Sequence, residues 1–107
     1  MQASEKLYKA AEEAIKALAI ALNLDEAKAA REQGRWTAAL LFSAVDSISD
    51  RLGGGEEVRL WWRVAWFLHV EGFHEARLKP SQVVRDLKHV EALVRLAQEH
   101  AQNKHNK

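Results

Sequence analysis

Between Leu60 and Val70 nine of eleven residues are apolar: Leu60, Trp61, Trp62, Val64, Ala65, Trp66, Phe67, Leu68 and Val70, interrupted only by Arg63 and His69. The run is too short to span a bilayer, which takes about 20 residues. On a helix each residue turns about 100° from the last. These side chains therefore wrap nearly the whole circumference, and adjacent Trp61 and Trp62 leave the axis in different directions. A helix apolar on all sides is covered from more than one side. In a four-helix bundle each helix keeps one side outward, so the second cover is expected from another subunit. The expectation is a homodimer built on this helix, with Trp61, Trp62, Trp66 and Phe67 at the interface.

The rest of the chain reads as helix with little punctuation. Pro80 is the only proline, and the glycines are Gly34, the run Gly53-Gly54-Gly55, and Gly72. Leu7, Ala11, Ala14, Leu18 and Ala21 recur at three- and four-residue spacing and predict a helix over 4–22, capped by Ser4, with Glu5/Lys9 and Glu12/Lys16 as i,i+4 pairs. Asp25 is placed to cap a short segment over 25–33. Trp36, Leu40, Leu41, Ala44, Val45, Ile48 and Leu52 predict a helix over 35–52, with Ser43, Asp46, Ser47 and Asp50 as a solvated stripe. Glu56 and Glu57 suit the first turn of the apolar helix, read as 56–78. Ser81 is the expected cap of a last helix over 81–102 with the seam Val83, Leu87, Val90, Val94 and Ala97; residues 103–107 read as a frayed tail. The expected fold is all-α: one domain over 1–107, an antiparallel up-and-down bundle of four main helices plus a short helical segment.

Composition limits the function classes. With no cysteine there is neither a disulfide nor a thiolate metal site. Residues 1–50 carry 6 basic and 8 acidic groups and residues 51–107 carry 10 and 7, too mild an asymmetry for a dense nucleic-acid-binding face. No secretory leader or spanning segment is evident, so no membrane partner is expected and the cytoplasm is the default compartment. The glycine run lacks the Lys-Ser/Thr of a phosphate loop. Glu71/His74 and Asp86/His89 have i,i+3 spacing, but the remaining carboxylates of a di-iron set do not face inward. No metal and no cofactor are expected. Arg59 and Arg63, one turn apart, could join Arg51 in a phosphate-binding pocket near the glycines, or form salt bridges with Glu56, Glu57 or acids of another helix.

The string Tyr8-Lys9-Ala10-Ala11-Glu12-Glu13-Ala14, the Gly34-Arg35-Trp36 leading to Ala44-Val45-Asp46, and Trp62…Ala65…Leu68-His69-Val70-Glu71-Gly72-Phe73-His74-Glu75 together resemble the archaeal PaREP family over about residues 7–95. That family looks like a branch of the HEPN (higher eukaryote and prokaryote nucleotide-binding) superfamily of small helical bundles, which commonly dimerise. The resemblance implies a HEPN-like dimeric module associated with nucleotide or RNA. It also offers metal-independent RNA cleavage, in which an Arg and a His four to six residues apart act at a dimer cleft; here these would be Arg63 and His69. His69 would move a proton and Arg63 would hold a phosphate. A six-residue helical step leaves the two side chains about 120° apart and about 9 Å displaced along the axis, so convergence needs help from a second subunit. His69 hydrogen-bonded in the core or interface is the competing role. The preferred reading is a dimeric module that associates with nucleotide or RNA phosphate, with no catalysis assigned to it. The alternatives are a toxin-like ribonuclease with a separate neutralising protein partner, and a purely structural dimer.

Overall fold

The computed structural model of the chain describes residues 2–52, 56–71 and 79–105. The protein is all-α, with helices α1 (Gln2–Ala21), α2 (Asp25–Gln33), α3 (Ala38–Leu52), α4 (Glu56–Glu71) and α5 (Pro80–His105). Gly53–Gly55, and the stretch 72–78 expected to extend α4, lie outside the described residues, as do Phe73, His74 and Glu75. α1 packs on each of the other helices, and α4 packs on α3, α5 and α1. The core is the shared interior of α1, α3, α4 and α5, and α2 lies against α3 and α1. Among the described residues no helix is long and apolar enough to cross a membrane.

The connections follow from local backbone chemistry. α1 ends where Asn23 takes a left-handed conformation (φ 57°) and Leu24 N–H returns to the Ala19 carbonyl at 2.9 Å. Gly34, at φ 81°, closes α2 by donating to the Ala30 carbonyl at 2.8 Å. α3 begins at Ala38 rather than Arg35 because Thr37 caps it, its Oγ1 accepting the Leu40 N–H at 3.2 Å. α5 begins at Pro80, not after Ser81. Proline suits a first helical position, where its missing N–H costs nothing, and the Gln82 side chain reaches back to the Lys79 N–H at 2.9 Å. α1 begins at Gln2 and not at Ser4.

Burial follows the helical spacing with informative departures. α1 turns in Tyr8, Ala11, Ala14, Ile15, Leu18 and Ala19; its small residues admit α5 closely. On α5 the buried positions are Val90, Leu93 and Ala97. Leu93 lies between Val90 and Val94 of the expected seam and is more deeply buried than Val94. The Ser43/Ser47 stripe of α3 is not simply solvated: both hydroxyls donate to Glu26 Oε2, at 2.6 and 2.9 Å, and dock α2. Burial alone would raise the Glu26 pKa, but the hydrogen bonds from Ser43, its own backbone and Ser47 outweigh it and hold the carboxyl below its usual value.

Candidate functional site

α4 carries almost every residue singled out from the sequence, and the fold sorts them onto different sides of one helix. Its inward side is Val58, Trp62, Ala65 and Leu68. Trp62 is 1% exposed and is the largest fully buried side chain, so it belongs to the core of the chain and not to the expected interface. Its neighbours form an aromatic nest. Tyr8 lies 5.8 Å from Trp62 and 6.1 Å from Trp66, and Phe42 of α3 meets Trp66 edge-on at 4.9 Å. Trp61 and Trp66 are half-buried against the core. Of the expected interface set, only Phe67 stands outward.

His69 closes the nest. Its ring stacks on Tyr8 at 4.0 Å with planes 20° apart, and its Nδ1 lies 3.1 Å from Glu5 Oε1. Glu5 was expected to pair with Lys9, but the nearer carboxylate of Lys9 is Glu12, at 3.8 Å. The Glu12–Lys16 pair is present at 2.8 Å. Burial pushes the Tyr8 hydroxyl up, and the Glu12 and Glu5 charges with a hydrogen bond to Glu12 push it further, to about 12. The phenol is therefore neutral at any ordinary pH. Because it ionises more readily in the unfolded chain, its contribution to stability is complete below its ordinary value of 10.0 and is lost as the pH rises through about 12. Tyr8 is the only tyrosine, so tyrosinate absorbance reports it alone. The expected native midpoint is near 12, falling to about 10 in denaturant; a native midpoint near 10 would mean the ring is not buried.

The structure does not bring Arg63 and His69 together within one chain. His69 lies on the side facing α1, and Arg63 is exposed among outward residues. Nor does it gather Arg51, Arg59 and Arg63 into one pocket. Arg59 is held by three carboxylates, Asp46 at 3.0 Å, Glu56 at 2.9 Å and Asp50 at 3.8 Å, leaving no spare charge for a phosphate. Arg51 reaches the Leu22 carbonyl at 3.4 Å and borders an open polar cavity of about 480 Å³ shared with Glu26, Ser47 and Asp50. Carboxylates predominate there, which repels an anion. Among the described residues no three His, Asp or Glu side chains are grouped to hold a metal ion.

What the outward side of α4 does collect is apolar surface: Leu60 at 52% exposure, Phe67 at 45% and Val70 at 43%, with Arg63 among them. Of the four residues expected at an interface, Trp62 is buried and Trp61 and Trp66 are half-buried, so the exposed apolar surface of α4 is carried by Leu60, Phe67 and Val70. The missed residues with the clearest signal are Tyr8, in step with the buried Ala11, Ile15 and Leu18, and Glu5, one turn before Tyr8's face.

Comparison with known proteins bears on the fold and the lineage. A family model described as the archaeal PaREP1/PaREP8 family matches residues 1–94. The chain is 40% identical to a Sulfolobus solfataricus protein of known crystal structure, the match covering 94% of this chain and 80% of that one with a TM-score of 0.86. A solution structure of an open-reading-frame product from structural genomics is 39% identical, covering 99% of this chain and 81% of that one with a TM-score of 0.79. No curated protein matches.

Proposed function

This chain belongs to the archaeal PaREP1/PaREP8 family, and on that premise we propose that it is a self-pairing helical module, two copies joined along the outward side of α4. The observation that carries the reading is the order of that outward strip. Leu60, Arg63, Phe67 and Val70 are spaced three, four and three residues apart, a pattern symmetric about position 65. A two-fold axis makes each copy meet the same strip on the other. If the two α4 helices cross antiparallel with the axis opposite position 65, Leu60 lies beside Val70 of the partner subunit and Arg63 beside Phe67 of the partner subunit. Leucine and valine then cover one another. The guanidinium rests on an aromatic face, a favourable contact worth about 0.5–2 kcal/mol, and symmetry provides it twice.

Arg63 then serves association, and His69 serves the α1–α4 contact through Glu5 and Tyr8. Neither role needs catalysis. The chain has no cysteine of its own, so introduced thiols report pairing cleanly. Mixing a Leu60→Cys chain with a Val70→Cys chain under mild oxidation is expected to give a disulfide-linked heterodimer, with little linkage when either variant is oxidised alone, since the bridge requires Cβ atoms about 3.5–4.5 Å apart. Efficient Leu60→Cys self-linkage would mean a parallel pairing, and no linkage in the mixture would mean no pairing along this strip; either result ends the proposal.

A further inference from the structure

Two arginines lie apart from the helix that carries the outward strip. Arg31 in the last turn of α2 and Arg35 just beyond it both border a cavity of about 410 Å³, whose walls include Ile20, Ala27, Ala30 and Trp36. Both are exposed, and among the described residues neither is held by a carboxylate. Glu32, the acid next to Arg31 in sequence, is exposed and pairs with neither of them. Arg59 shows the contrast, with three carboxylates around it.

The turn between α2 and α3 builds this arrangement. Gly34 is required for its left-handed φ of 81° and not for lack of room, since a Cβ there would meet nothing within 4 Å. The reversal lets the Arg35 N–H return to the Ala30 carbonyl at 3.0 Å, so the backbone of Arg35 lies back against the last turn of α2. The remaining walls are apolar. Ala27 and Ala30 are buried and carry only methyl groups, Ile20 is 55% exposed, and Trp36 is half-buried against the core. Small-molecule sites have this make-up: mostly apolar walls, a few convergent polar groups and a volume of about 300–1,000 Å³.

We propose that this cavity binds an organic carboxylate, its apolar body against Ile20 and Trp36 and its two oxygens held by Arg31 and Arg35. The fold favours a carboxylate over a phosphate on two grounds. Phosphate sites at helix ends use the amino-terminal end, where free N–H groups and the positive pole meet the anion. Here the helix end is the carboxyl-terminal one, and the Gly34 and Arg35 N–H groups are already donated to α2 carbonyls. The pole of α2 carries about half a negative charge, which repels a doubly charged phosphate more than a singly charged carboxylate; two full cations outweigh it for the latter. A guanidinium fork also matches the two oxygens of a carboxylate through parallel hydrogen bonds, so the side chains complete the site without the backbone. The site lies on α2 and the turn after it, and stands or falls independently of pairing through α4.

The test uses the full chain labelled with ¹⁵N at low salt, titrated separately with sodium hexanoate, hexanol, acetate, AMP and the acetylated, amidated dipeptide leucyl-glutamate. The four tryptophans give separate indole N–H signals. Saturable movement of the Trp36 signal with hexanoate is the expected result. Binding should be at least tenfold weaker for hexanol, which keeps the body and lacks the charge, and for acetate, which keeps the charge and lacks the body. It should weaken at least tenfold for hexanoate in an Arg31→Gln/Arg35→Gln chain of unchanged circular dichroism. A dipeptide that binds more tightly than hexanoate assigns the site to a carboxylate borne on a polypeptide, and one that binds no more tightly assigns it to a free acid; each supports the proposal. Hexanol or acetate binding as well as hexanoate would overturn it. So would AMP binding more tightly than hexanoate, movement confined to the Trp61, Trp62 or Trp66 signal, or no movement with hexanoate.

Discussion

Trp62→Ala should cost about 3–5 kcal/mol of folding stability, the largest loss we expect from any single substitution. Trp62 is 1% exposed and touches rings from two other helices, Tyr8 of α1 at 5.8 Å and Phe42 of α3 at 5.8 Å. Truncation removes the transfer energy of an indole and leaves a cavity that three helices would have to collapse together to fill. Against a total stability of about 5–15 kcal/mol for a natural domain, that is at least about a fifth. The expected fall in melting temperature is on the order of 15–25 °C. One feature of the native site works the other way. Trp62 Nε1 is buried with no hydrogen-bond partner among the described residues, and an orphaned donor costs about 1–3 kcal/mol. Trp62→Phe should therefore be much milder than its lost volume suggests. Trp61→Ala is the control: half-buried, it should lose about 1–2 kcal/mol. Urea unfolding followed by circular dichroism measures all three, and equal losses at positions 61 and 62 would contradict the placement of the core.

Phe67→Glu should leave the fold intact and abolish pairing. At 45% exposure Phe67 contributes little to its own protomer's core, so the change in monomer stability should stay under about 1 kcal/mol. In a two-fold interface each substitution counts twice. Losing the apolar contact and the ring beneath Arg63 removes about 2 kcal/mol per copy, hence about 4 kcal/mol per dimer, which is roughly a thousandfold in the dissociation constant. Unlike Trp62→Ala, this variant separates association from folding: its melting temperature at low concentration should match that of the parent chain. A Phe67→Glu chain that remains paired would place the interface elsewhere.

The helical class was legible because apolar side chains recur at three and four residues from Leu7 to Leu18 and from Leu41 to Leu52. Periodicity chooses a face only when the other faces are polar. Around α4 every face is apolar, so spacing could not say whether Trp61, Trp62 or Trp66 turns inward; that was decided by Tyr8 and Phe42, which come from distant parts of the chain. The arginine pocket failed for a related reason. Arg59 and Arg63 one turn apart look like a cationic strip, but the carboxylates that neutralise Arg59 include Asp46 and Asp50 of α3, whose approach is set by packing. Glu5 and His69, 64 positions apart, meet in the same way. At Pro80 and Thr37 the local chemistry was readable, and the expected starts at Ser81 and Arg35 gave too little weight to proline at a first helical position and threonine as a cap.

Pairing of two copies of this chain along the outward strip of α4 is what we propose. Multi-angle light scattering on the untagged parent and on Phe67→Glu, over a dilution series through micromolar concentrations, tests it most directly. The expected result is twice 12.1 kDa for the parent and 12.1 kDa for the variant. A parent that elutes at 12.1 kDa throughout would contradict it.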